Sequence, residues 1–88
     1  GSSVFEGERV YNGRIFKLRE HSERLINSGR LLDFKVPYSA QELDDVCNEV
    51  VKANNITDGY VRPVAWRGSE MMAISAQNTS IHVAVVCW

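Results

Sequence analysis

Two arginines stand where a charge needs a reason. Arg62 interrupts the apolar run Tyr60-Val61-Arg62-Pro63-Val64-Ala65-Trp66, and a guanidinium is tolerated in such a strand only with a partner. Its type and place leave two partners open: an internal carboxylate such as Glu6 or Glu8, or the carboxylate of a ligand, which a guanidinium fork meets with two parallel bonds. Arg24 follows Glu20 by four residues and His21 by three. That spacing favours a solvated helix-surface pair with Glu20 over contact with a ligand phosphate. His21 has no serine or cysteine nucleophile in a recognisable context, so a ring satisfied by a neighbouring carbonyl is preferred to a general base. Met71-Met72 reads either as core filler or as an adaptable contact surface. No Gly-rich phosphate loop, His-x-Glu or Cys-x-x-Cys metal pattern, or Ser/His/Asp set is present, so neither self-contained catalysis nor a metal site is expected. Cys47 and Cys87 fall inside apolar patterns and read as buried thiols of a reducing compartment.

The elements that must carry these residues follow from local signals. From Val4 to Leu18 an extended segment breaks at Asn12-Gly13, a pair suited to the two positive φ angles of a type I′ turn, which predicts a β-hairpin. Leu18, His21, Leu25, Ser28 and Leu32 then recur at helical steps for about three turns. Ser39-Ala40-Gln41-Glu42 is a capping box, with Tyr38 and Leu43 placed to form a hydrophobic staple. Leu43, Val46, Cys47, Val50 and Val51 make the apolar stripe of a second helix. Asn54-Asn55 and Asp58-Gly59 close it, and a strand follows from Tyr60 to Trp66. Pro63 cannot donate to a ladder, which predicts an edge position or a bulge. Gly68 to Ser80 is loop-like apart from Met71-Met72-Ala73-Ile74, and Ile81 to Trp88 is a strand apolar enough to be covered on both faces. The order predicts an α+β fold, a mostly antiparallel sheet with two helices packed on one face.

The chain has 88 residues, with 10 Lys+Arg against 11 Asp+Glu and a formal net charge of −1. That is one domain with little area for a deep catalytic cavity. A near-neutral balance gives no general pull toward nucleic acid or an anionic membrane, and no apolar stretch approaches a membrane span. Since seven of the ten basic residues are arginine, a small anion is the expected ligand.

Gly1-Ser2-Ser3-Val4-Phe5-Glu6-Gly7 with Arg9, then Phe16-Lys17-Leu18-Arg19-Glu20-His21 with Arg24-Leu25, then Tyr60-Val61-Arg62-Pro63 together resemble the N-terminal small domain of branched-chain amino acid aminotransferases. These are pyridoxal-phosphate enzymes of the class that also holds D-amino acid aminotransferase and aminodeoxychorismate lyase. The resemblance runs from residue 1 to residue 88. It implies a fragment of the small domain of a two-domain, cytoplasmic, dimeric or larger enzyme that moves the amino group of leucine, isoleucine or valine to 2-oxoglutarate.

Carried over by position, Arg24 matches the arginine that reaches the cofactor phosphate. Phe5 matches an aromatic residue of the apolar substrate pocket and Ile74 a pocket aliphatic. Arg62 matches the arginine that meets the side-chain carboxylate of acidic substrates, and Met72 a residue that approaches the neighbouring subunit's active site. The class also uses a lysine that holds the cofactor and moves the substrate's α-proton. Lys17, Lys35 and Lys52 do not sit in that context, so no catalytic residue is expected here; the lysine belongs to a large domain expected after Trp88, and a further strand with a substrate-contacting tyrosine is expected before Gly1. The alternatives are another activity of the same class, or a stand-alone module that binds a phosphorylated metabolite without catalysis.

Overall fold

In the computed structural model, which describes residues 2–68 and 80–88, the elements run β1 (Ser3–Phe5), β2 (Glu8–Tyr11), β3 (Arg14–Ile15), α1 (Leu18–Leu31), α2 (Ala40–Ala53), β4 (Gly59–Arg67) and β5 (Ile81–Cys87). All strand pairings are antiparallel. This is the α+β arrangement expected from the sequence. The hairpin forms at Asn12-Gly13, where both residues take positive φ, 51° and 76°, as a type I′ turn requires. Its arms are only β2 and β3; β1 pairs instead with β4.

Pro63 is a correction. It lies in β4, the centre of the sheet, with β1 and β2 in turn along one side and β5 along the other. No bulge accommodates it: Phe5 stands opposite Val64 and Glu8 opposite Val61, so two residues face two across the gap. The Glu6 amide donates to the Pro63 carbonyl at 3.1 Å, and the return bond of that narrow pair is the one a proline cannot make. The proline therefore costs a single rung, at the place where β1 gives way to β2.

Strand parity decides which residues meet the helices. Val4, Glu8, Val10, Val61, Pro63 and Ala65 turn to one face and are buried. Two clusters form there: Val4, Leu25, Phe34, Val36, Leu43 and Ala65, and next to them Val10, Cys47, Val51 and Val61. Phe34 and Val36 come from the α1–α2 link, a segment with no periodic signal. Gly29 makes room for them, because a Cβ there would lie 3.0 Å from the Phe34 ring. The helical stripes are rotated from those expected. Ser22, Leu25 and Gly29 are buried on α1, and Leu43, Asp44, Cys47 and Val51 on α2, whereas Leu32 and Val46 are exposed. The capping box forms as read, Glu42 N donating to Ser39 Oγ at 3.1 Å and Ser39 N to Glu42 Oε1 at 2.8 Å.

The last strand is also corrected. Among the described residues β5 pairs only with β4, and helices cover one of its faces: Ile81, Val83, Val85 and Cys87 pack on the core, while Val86 is exposed. The sheet thus has a second face, left open by the described residues, carrying Phe5, Tyr11, Tyr60, Arg62 and Val86. Both cysteines are free, and Cys47 is buried. No helix of the described residues is long and apolar enough to cross a membrane.

Candidate functional site: two arginines on opposite faces of the sheet

Arg62 points to the open face. Its guanidinium carbon lies 4.7 Å from the centroid of the Phe5 ring and 5.9 Å from those of Tyr60 and Trp88. A cation over ring faces gains from their negative quadrupoles, which holds the head group against apolar walls. No described carboxylate reaches it, and its buried Nε makes no hydrogen bond among the described residues. The internal ion pair is therefore not formed: Glu6 and Glu8 sit on the other side of the sheet, as the two-residue period of the strand demands. The result is an apolar, aromatic wall around a guanidinium that no described carboxylate engages, able to take an alkyl chain or a carboxylate.

Sequence reasoning named Phe5 and Arg62, which the structure brings together. It did not single out Tyr60 and Trp88 as part of that wall. Tyr60 shares strand parity with Arg62, a signal available in the sequence; Trp88 joins only through the β4–β5 pairing, its amide and carbonyl bonding those of Tyr60 at 3.1 and 3.0 Å. Gly7 belongs to this face too, since a Cβ there would run into the Tyr60 ring.

Arg24 lies on the helix side. Its partner is Glu6, not Glu20: Nε donates to both carboxylate oxygens at 3.0 Å and Nη2 to Oε1 at 2.8 Å. His21 Nδ1 meets the same Oε1 at 2.7 Å, so a carboxylate, not a carbonyl, satisfies that ring. Burial alone would raise the Glu6 carboxyl, but the bonds from Arg24 and His21 outweigh it and hold the acid below its ordinary range. Phe5 and Glu6 are consecutive, so one short stretch of chain orients Arg62 on one face and Arg24 on the other.

Beside Glu6, Glu8 is fully buried and neither carboxylate oxygen has a partner among the described residues. Burial, with Glu6 and Asp44 nearby, pushes its carboxyl up to about 7. Asp44 is engaged by Arg19 Nε at 2.7 Å. Burial, then Glu8 and Asp44, pushes the Cys47 thiol up to about 12, so it is an inert packing group. Among the described residues no set of His, Cys, Asp or Glu could hold a metal ion. Ile74 and Met72 lie outside the described residues.

The family model for amino-transferase class IV matches residues 3–87, and the chain belongs to that family. Within it, the chain is similar to the probable branched-chain-amino-acid aminotransferase of Rickettsia felis, 49% identical over 83 residues that cover 94% of this chain and 29% of that protein. Among solved structures it superposes on the branched-chain amino acid aminotransferase from Escherichia coli with a TM-score of 0.90 at 34% identity, covering 100% of this chain and 32% of that one. A T.th. branched-chain amino acid aminotransferase, in complex with N-(5'-phosphopyridoxyl)-L-glutamate, gives a TM-score of 0.89 at 36% identity, covering 99% of this chain and 31% of that one. A putative 4-amino-4-deoxychorismate lyase from Legionella pneumophila, at 22% identity and a TM-score of 0.77, shares the fold. The chain spans about 30% of the length of these relatives.

Proposed function

We propose that these 88 residues are a fragment of the small N-terminal domain of a cytoplasmic, homo-oligomeric, pyridoxal-phosphate-dependent aminotransferase. It moves the amino group of leucine, isoleucine or valine to 2-oxoglutarate. The observation that carries this reading is Arg62 among the Phe5, Tyr60 and Trp88 rings. A transaminase of this kind must seat a branched alkyl chain in one half-reaction and a carboxylate-bearing chain in the other, and an aromatic wall around a guanidinium with no described carboxylate partner serves both.

Two features of the chain suit a cofactor phosphate. Arg24 is two-thirds exposed (66%) and has Nη1 left over after Glu6 is served, and a guanidinium stays charged at any working pH. Pyridoxal phosphate, when bound, supplies the electron sink for loss of the amino acid's α-proton. In that enzyme this chain binds and orients. Arg24 holds phosphate, Phe5 and Ile74 shape the alkyl pocket, Arg62 takes the distal carboxylate, and Met72 approaches a neighbouring subunit. The proton-moving lysine would come from a large domain outside these residues; Lys17, Lys35 and Lys52 do not sit in the context the resemblance gives that lysine.

Substrate profiling of the complete polypeptide tests this. Transamination between leucine and 2-oxoglutarate is expected; activity with D-alanine but not leucine, lyase activity on aminodeoxychorismate, or binding of phosphorylated metabolites without turnover would each overturn it. Arg62→Met is expected to lower kcat/KM for 2-oxoglutarate on the order of 10- to 100-fold, the worth of one charge-assisted bond, and to leave that for leucine within a few-fold.

A further inference from the structure

Arg24 is clamped, and the clamp selects which of its edges remains. A guanidinium presents two forked edges, Nε with Nη2 and Nη1 with Nη2. Glu6 occupies the first with bonds of 3.0, 3.0 and 2.8 Å, while no hydrogen bond among the described residues uses Nη1. The carboxylate is itself fixed. Glu6 is 6% exposed, its amide is tied to the Pro63 carbonyl at 3.1 Å, and His21, one turn before Arg24 on the same helix, meets Oε1 at 2.7 Å.

We infer that Glu6 is a positioning residue which, with His21, turns the Arg24 guanidinium so that its Nη1 edge faces a phosphate monoester. This rests on the reading that Arg24 takes the cofactor phosphate. Pairing with Glu6 offsets much of the charge Arg24 would otherwise bring to an anion, so what the clamp contributes is order. A long, mostly exposed arginine loses rotamer freedom on binding, and Glu6 removes that loss beforehand.

The test titrates the complete polypeptide, freed of cofactor, with pyridoxamine 5'-phosphate and with pyridoxamine, which differ only in the phosphate and need no bond to lysine. Calorimetry on the wild type, Glu6→Gln and Arg24→Ala gives the affinity ratio of the two ligands. Glu6→Gln is expected to weaken the phosphorylated ligand about tenfold, the cost of ordering one free arginine, with pyridoxamine unchanged. If Glu6→Gln does not fold, Glu6→Asp keeps the charge but not the reach, and the same selective loss is expected. Equal weakening of both ligands, or an unchanged or raised ratio, overturns the positioning role while Arg24→Ala still lowers the ratio. A ratio untouched by Arg24→Ala removes the phosphate reading and the inference together.

Discussion

Phe5 and Glu6 are neighbours in sequence and serve opposite faces, so a change at either is felt by one arginine and not the other. Arg24 shows why spacing misleads at this scale. Glu20 stands at the favourable helical distance, yet an exposed helix pair contributes only about 0.3–0.5 kcal/mol. A buried carboxylate without a cation costs several kcal/mol, so Glu6, which needs a partner, captures Arg24. Arg62 has the reverse history: both candidate acids were within reach by strand position, and parity placed them on the far side. Gly7→Ala tests the open face directly. Its Cβ would meet the Tyr60 ring, and forcing that ring aside is expected to destabilise the fold by about 1–3 kcal/mol and to move Tyr60 from beside Arg62. Denaturant unfolding, with the tyrosine and tryptophan fluorescence of the folded state, checks both.

At the scale of elements, the seam between β2 and the two helices holds an acid that prefers to be neutral. Since burial and its acidic neighbours raise Glu8 from its ordinary 4.5 to about 7, the folded state binds the proton more tightly than the unfolded chain. Its contribution to stability is then complete below pH 4.5 and declines as pH rises to about 7, by on the order of 3 kcal/mol. Glu6 acts in the other direction. Its acid is held low, so its contribution is present above the ordinary carboxylate range and lost as pH falls through the folded value. Glu8→Gln keeps a neutral, hydrogen-bonding side chain of the same size and is expected to flatten the decline between pH 4.5 and about 7. Stability curves of wild type and variant that run parallel over that interval would show that Glu8 does not titrate there. The helices themselves were legible because caps and stripes are local. Their rotation was not: Asp44 is buried and Val46 exposed because α2 turns toward Arg19 and the sheet rather than toward the centre of its own apolar arc.

For the molecule as a whole, one core of Val4, Leu25, Phe34, Val36, Leu43 and Ala65 joins the sheet, both helices and the link between them. Leu25 is fully buried in it, and Leu25→Ala is expected to cost about 2–5 kcal/mol of unfolding free energy, measured by denaturant titration. The sequence by itself determined what short-range chemistry writes. The type I′ turn at Asn12-Gly13, the Ser39–Glu42 box, the element order and the family resemblance all rest on residues a few positions apart or on motifs read in place. Only the tertiary structure decided that Pro63 sits in a central strand, that β5 leaves one face open, that Arg24 answers to Glu6, and that Arg62 is walled by Phe5, Tyr60 and Trp88. Each of these depends on which strands pair and which face the helices cover. That choice is made by burial summed over distant parts of the chain, and a shift of one residue in register would reverse every side of it.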